Sequence, residues 1–210
     1  MHLSLAQLVE NTLYFLALIN PPSKVLFLSA YEPSLSFAQN FELSWKSSLA
    51  AFAMLLLFSL TGQAILLNVF RIEIYSLRIC GGLIVFFSGW MAAREGRFFE
   101  RRSKDVIVHD FTDISIIPLA APLISGPGSI TLALTLSAEY GQLHTFLVIF
   151  LALLVNFSLM VLAQPINHLL LRIRLAGPLV RITGLIVATV AVQMILTGLG
   201  EWLQIILKNS

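Results

Sequence analysis

The chain has 210 residues, of which 58% are hydrophobic and 11% charged, and a formal net charge of +2. With a mean hydropathy of +0.89, it lies outside the range of soluble domains and reads as an integral membrane protein, and so small a net charge gives no basis for binding nucleic acid. Its single cysteine, Cys80, excludes an internal disulfide and reads as a small buried residue, and no His, Cys, Asp or Glu spacing suggests a metal site.

Apolar runs measured against the roughly 20 residues that cross a bilayer give six spans, at about 5–29, 46–70, 74–93, 114–138, 143–164 and 178–200. No Lys or Arg precedes the first run, and Glu10 and Asn11 interrupt it early, so it is expected to stay in the mature chain rather than act as a secretory signal. The same run is broken by "ALINPPSKVLFLSAY", residues 17–31. Gly81 and Gly82 in the third span, and Gly184 in the sixth, are expected to let those helices approach the broken ones closely. Between spans three and four lies the charged stretch "REGRFFERRSKDVIVHDFTD", residues 94–113, read as a solvated loop.

The fourth span carries the second break, "LISGPGSITLALTLS", residues 123–137. Asn156 sits at the middle of the fifth, where a cavity is expected, and "NHLLLRIRL" (167–175) reads as a short amphipathic stretch on the membrane surface. His144 and His168, near segment ends, read as solvated, as does His109 in the loop. The connections after spans one, three and five hold Lys46, Arg94, Arg97, Arg101, Arg102, Lys104, Arg172 and Arg174, with Arg181 beginning the sixth span; the opposite side has only Arg71, Arg78 and Lys208. Positive residues stay cytoplasmic, so both termini are expected outside.

The two halves resemble each other. "RICGGLIVFFSGWM" (78–91) aligns with "RITGLIVATVAVQM" (181–194), and "NPPSKVLFLSA" (20–30) with "GPGSITLALTL" (126–136). The order of the matches divides the chain into a first three-helix repeat (1–93), a charged cytoplasmic loop (94–113) and a second three-helix repeat (114–210), all in one membrane domain. Three spans per half gives the halves opposite orientations. The expected fold is therefore all-α: a polytopic membrane protein with six transmembrane helices in an inverted 3+3 repeat, its first and fourth helices broken, as in secondary transporters.

Breaking a helix in hydrocarbon needs a reason, because each freed backbone group is costly unless something replaces its partner. Pro21, Pro22 and Pro127 remove N–H groups and clash with the preceding turn, while Gly126 and Gly128 widen the conformations allowed. Half-helix N-termini attract carboxylates and C-termini attract cations, so a zwitterion suits both. Asn20, Ser23, Ser125, Ser129 and Thr131 beside the breaks, with Asn156, offer hydrogen bonds without fixed charge and form the expected substrate site. Simple proline kinks filled by neighbouring helices are the alternative, but two breaks at repeat-related positions favour a site. Lys24 either snorkels to the interface, the favoured reading, or neutralises a substrate carboxylate; Glu10 is interfacial or carries a coupled proton.

The Asn20-Pro21 pair, "DISIIPLAAPLISGPGSIT" (113–131) and "GLIVATVAVQMILTGL" (184–199) together resemble the MarC family of bacterial and archaeal inner-membrane proteins, over almost the whole chain. The resemblance implies an inner-membrane transporter of small neutral amino acids such as glycine, alanine and serine. It places the family's Asn-Pro on Asn20 and Pro21 and its Gly-Pro-Gly on Gly126, Pro127 and Gly128. Pro22 departs from the family, which more often carries a small or aliphatic residue there.

The expectation is a transporter working by alternating access, with a small-molecule substrate, the lipid bilayer around it, and small residues such as Gly89 and Ala93 that suit packing within the monomer or a homo-oligomer. No cofactor is expected, and the coupling ion is left open between H+ and Na+. A channel for small solutes and a non-transporting scaffold or regulatory protein are the competing classes; an enzyme is not expected, since no acid/base pair or nucleophile couple is visible.

Overall fold

The computed structural model describes residues 4–29, 35–96, 124–172 and 174–209, and these are almost entirely helical with no strand among them. The elements are α1 (Leu5–Ile19), α2 (Pro21–Ser29), α3 (Phe37–Ala64), a π-helical stretch (Ile65–Phe70), α4 (Ile74–Glu95), α5 (Pro127–Tyr140), α6 (Gln142–Val161), α7 (Ala163–Arg172) and α8 (Ala176–Asn209). Most of the charged stretch 94–113, His109 within it, and the beginning of the fourth expected span lie outside the described residues.

Among the described residues, four helical stretches are long and apolar enough to cross a membrane: Phe37–Gly62, Ile74–Glu95, Gln142–Val161 and Ala176–Lys208. The first expected span falls short because Asn20 divides it into helices of 15 and 9 residues. Helix α3 begins at Phe37, ahead of the expected position 46, because Ser36 and Gln39 form a reciprocal capping box that starts the helix inside polar sequence. Apolarity marks where lipid begins, whereas the cap marks where the helix begins.

Outer faces are apolar, with Leu57, Leu60, Leu83, Phe87, Leu185 and Leu196 all exposed, while Asn40, Ser44, Ser47, Thr145 and Asn156 are almost fully buried. In a bilayer this distribution costs nothing on the outside and lets polar side chains bond across the interior. Phe15, Ile19, Leu28, Leu43, Leu55, Ile124, Ile149 and Met160 fill the core between α1, α2, α3 and α6 and the start of α5.

Helices α4 and α8 form the most intimate pair and run antiparallel: Gly82 faces Ala191 and Ile195, Gly89 faces Gly184 and Ala188, and Gly198 faces Tyr75 and Ile79. A Cβ on Gly89 would stand 2.6 Å from the Ala188 nitrogen, so this seam requires backbone-to-backbone contact. The glycine reading from sequence is thus corrected in part. Gly81 does face a broken helix, through Thr131 of α5, but Gly82 and Gly184 join α4 and α8 to each other. Gly89 and Ala93 are likewise used inside this seam. Cys80 is exposed, not buried.

Amphipathic α7 starts earlier than expected, at Ala163, directly after α6. Pro165 offers no N–H to the Val161 carbonyl, and Asn40 of α3 replaces it: its Nδ2 donates to the carbonyls of Met160 and Val161, each at 3.0 Å.

Candidate functional site at two helix breaks

At the first break Asn20 takes a left-handed conformation, with φ 56° and ψ 69°, and its N–H closes α1 on the Leu16 carbonyl at 2.8 Å. Asparagine is among the few non-glycine residues that adopt this conformation readily. The chain then restarts at once with Pro21 in the first helical position, where its missing N–H costs nothing to α2 and its fixed φ suits the turn. Neither Pro21 nor Pro22 supplies an N–H to the carbonyls of Ala17 and Leu18, one turn earlier. Ser23 folds back, its backbone N–H 3.1 Å and its Oγ 2.7 Å from the Asn20 carbonyl.

Lys24 is the unexpected occupant. It does not snorkel: it is only 2% exposed, and its ammonium donates to the Ile19 carbonyl at the C-terminal end of α1. A helix C-terminus carries partial negative charge, so the buried cation completes the end that the prolines cut open.

The second break repeats the construction. Gly126 precedes α5 in extended backbone (φ −73°, ψ 173°), and Pro127 again takes the first helical position. Ser129 again folds back, its Oγ 3.0 Å from the Gly126 carbonyl and 2.7 Å from that of Ile124. Ser125 donates across to the Ala51 carbonyl of α3 at 3.3 Å. The breaks approach one another through Gly128: a Cβ there would stand 3.4 Å from Leu18 Cδ2 and 2.4 Å from Val85 Cγ2. Thr131, one turn on, packs its hydroxyl against Gly81, where a Cβ would meet Oγ1 at 2.3 Å.

Asn156 is fully buried in α6; its Nδ2 is 3.1 Å from Met160 Sδ, and its Oδ1 finds no partner among the described residues. Helices α3 and α6 run antiparallel, as the Asn40–Met160 bond and the Phe52–Phe146 and Trp45–Phe157 ring contacts require. That register sets Ser44, whose buried hydroxyl is also unpartnered, opposite Asn156. Both groups lack a partner among the described residues, and buried polar atoms of this kind are commonly satisfied by a water molecule.

From the other end of the bundle a cavity of about 190 Å³ descends between α1, α4, α5 and α8. Its deepest α5 residue, Leu132, lies one turn beyond Gly128 of the second break, and Tyr14 of α1 lies less than two turns before Asn20. Glu10 is exposed at its margin. The Tyr14 hydroxyl donates to the Val190 carbonyl at 3.3 Å and ties α1 to α8. Among the described residues, no group of His, Cys, Asp and Glu could hold a metal ion.

The profile of the MarC family of integral membrane proteins matches residues 5–203, which takes in both breaks and every long helix described above except the last six residues of α8. The chain belongs to the MarC family. It is 30% identical over 207 residues to a UPF0056 membrane protein of Pyrococcus horikoshii, a match covering 98% of this chain and 100% of that one. It is 31% identical over 163 residues to a UPF0056 membrane protein of Methanocaldococcus jannaschii (73% of this chain, 77% of that one). To the UPF0056 inner membrane protein MarC of Salmonella paratyphi B it is 30% identical over 126 residues, 57% of each chain. No solved structure matches it.

The structure of this MarC-family chain also brings forward residues that sequence reading passed over. Arg78, counted only as a charge near a span end, is 6% exposed and faces the cavity, with Nη1 on Glu201 and Nη2 2.5 Å from Glu139. His144 is buried rather than solvated: its Nε2 is 3.0 Å from Asn11 Nδ2, and its ring stacks on Tyr140 with centroids 4.9 Å apart. Gly141 holds the corner between α5 and α6 at φ 82° and ψ 172°, a region essentially reserved for glycine, and so positions Glu139 and His144 on either side of the turn. The signal for Arg78 lay in the repeat, since it aligns with Arg181, but burial distinguishes the two: Arg181 is exposed.

Proposed function

We propose that this MarC-family chain carries small neutral amino acids across the membrane by alternating access, through six spans arranged as an inverted 3+3 repeat with both termini outside. The observation that carries this reading is the shared plan of the two breaks. Pro21 and Pro127 each begin a half-helix, and Ser23 and Ser129 each fold back onto the carbonyl before the proline. Simple kinks in two unrelated helices have no reason to match in this detail. Repeat-related half-helix ends are where transporters of this architecture hold substrate.

The chemistry of the breaks suits a zwitterion with a small side chain. Pro127 leaves the amides of Gly128 and Ser129 as the free first-turn donors of α5, an end that attracts a carboxylate. At the first break Lys24 already takes the Ile19 carbonyl, so the Ala17 and Leu18 carbonyls are the ones left for the substrate's ammonium. Tight surroundings at Gly128 exclude a large side chain. Leu18, Val85 and Thr131 would move apart as one half rocks against the other, since substrate and packed side chains cannot share that space.

The test is uptake of radiolabelled glycine, alanine and serine into proteoliposomes. Saturable uptake with counterflow, lost in Gly128→Leu with the fold retained, supports the reading. Saturable uptake that Gly128→Leu leaves intact overturns the site, and flux without saturation or counterflow replaces the transporter with a channel.

A further inference from the structure

Arg78 lies far enough from the breaks to require its own explanation. It is 6% exposed in a membrane helix, and a guanidinium in such a place must stay paired. Its two partners differ: Glu201 of α8 and Glu139 of α5, whose side chains are 34% and 42% exposed. Glu139 lines the same cavity, so it is the partner that a molecule entering the cavity meets and can displace. Glu10 adds a further carboxylate at the margin, giving one fixed cation among three carboxylates. Thr135 also lines the cavity, 4% exposed, with a hydroxyl that has no partner among the described residues.

These groups discriminate by charge. A simple anion drawn to Arg78 meets the surplus of carboxylates. A simple cation finds Glu139 already engaged and, if it takes that carboxylate away, leaves the guanidinium with Glu201 alone. A zwitterion exchanges cleanly: its carboxylate replaces Glu139 on Arg78, its ammonium takes up the released Glu139 with Glu10 nearby, and the one broken ion pair is replaced by two without change of net charge. At roughly 30 Å³ per water the cavity holds the volume of about six waters, enough for glycine or alanine.

We propose that Arg78 and Glu139 form a receiving site for the zwitterionic backbone of an α-amino acid, at the mouth of the cavity that leads to the breaks. This rests on the transport reading and adds a second subsite to it. Thr135 supplies a hydrogen bond to the seated carboxylate, and the carboxylate surplus selects against substrates with acidic side chains.

The experiment measures thermal stabilisation of the purified full-length protein by L-alanine, L-alaninamide, which lacks the carboxylate, and propionate, which lacks the ammonium, alongside alanine uptake. In the wild type, alanine is expected to stabilise at concentrations at least tenfold below either analogue. Glu139→Gln, a near-isosteric change on a half-exposed side chain, is expected to weaken alanine at least tenfold and to strengthen propionate, because Arg78 loses a competing carboxylate. A merely structural Glu139 would lower both together. Arg78→Gln is expected to abolish the preference for alanine over alaninamide; if that variant does not fold, Glu139→Gln alone decides. Alaninamide equal to alanine, or an unchanged alanine-to-propionate ratio in Glu139→Gln, overturns the receiving site while leaving transport standing. A wild type that neither binds nor moves any amino acid overturns the transport reading itself.

Discussion

The first break and the second share a plan but not a filling. Each restarts a helix at a proline and recovers one carbonyl with a serine hydroxyl. The first carries a left-handed Asn20, a second proline and a buried ammonium; the second carries extended backbone, glycines on either side of Pro127 and no charge. The first break is therefore occupied by its own chain, with Lys24 seated on the last carbonyl of α1, while at the second no N-cap side chain bonds the first-turn amides. The breaks thus differ in what fills them: Lys24 sits on the end of α1 at the first, whereas only glycines flank Pro127 at the second.

The largest expected effect comes from filling the second break. Gly128→Leu drives a side chain into Val85 and Leu18, and proteoliposome uptake is expected to fall at least tenfold, while overpacking lowers stability by about 1–3 kcal/mol, read as a lower apparent Tm. Next is Lys24→Met, which empties the first break of its charge. Losing the bond to Ile19 costs about 1–3 kcal/mol, but a buried ammonium no longer has to be held out of water, which offsets that loss. Uptake is expected to drop with the apparent Tm held. A steep fall in Tm would make Lys24 an anchor of the fold and end the comparison as drawn.

The two serines sharpen it further. Ser129→Ala removes a hydroxyl whose one proton is shared between the Ile124 and Gly126 carbonyls, the former with no other donor among the bonds described, and Ser23→Ala one serving a carbonyl that the Ser23 backbone N–H also reaches. At about 0.5–1.5 kcal/mol net per bond, the loss of stability on thermal unfolding should be larger for Ser129→Ala. Equal losses would mean that the second acceptor at Ile124 contributes nothing.

How much of this was legible in the sequence depends on the kind of signal. Proline, glycine and asparagine act on their own backbone, so both breaks could be placed from the letters alone, and apolar runs located the long helices. Helix ends were less legible where a cap, not lipid, decides them, as at Ser36 and Gln39. Least legible were the groups whose meaning comes from distant partners. Arg78 meets Glu139 and Glu201, and His144 meets Asn11, across sequence separations of 61 to 133 residues. Lys24 was misjudged for a related reason: a long cationic side chain beside an interface ordinarily snorkels, and only the cut end of α1 gives it somewhere better to go.

The smallest expected effect separates the backbone of Asn20 from its side chain. At φ 56° an alanine carries the left-handed penalty of about 1–2 kcal/mol, whereas glycine adopts the conformation freely and loses only a few tenths through the entropy of the unfolded chain. If Asn20 serves only to turn the chain, Asn20→Gly should match the wild type in both apparent Tm and uptake, and Asn20→Ala should be lower in Tm. If its amide also contacts substrate, Asn20→Gly should keep its Tm and raise the KM for alanine. Because the aligned residue at the second break is Gly126, the glycine variant also makes the two breaks more alike. Full activity in it would show that the asymmetry resides in Lys24 and Pro22 rather than in the residue that turns the chain.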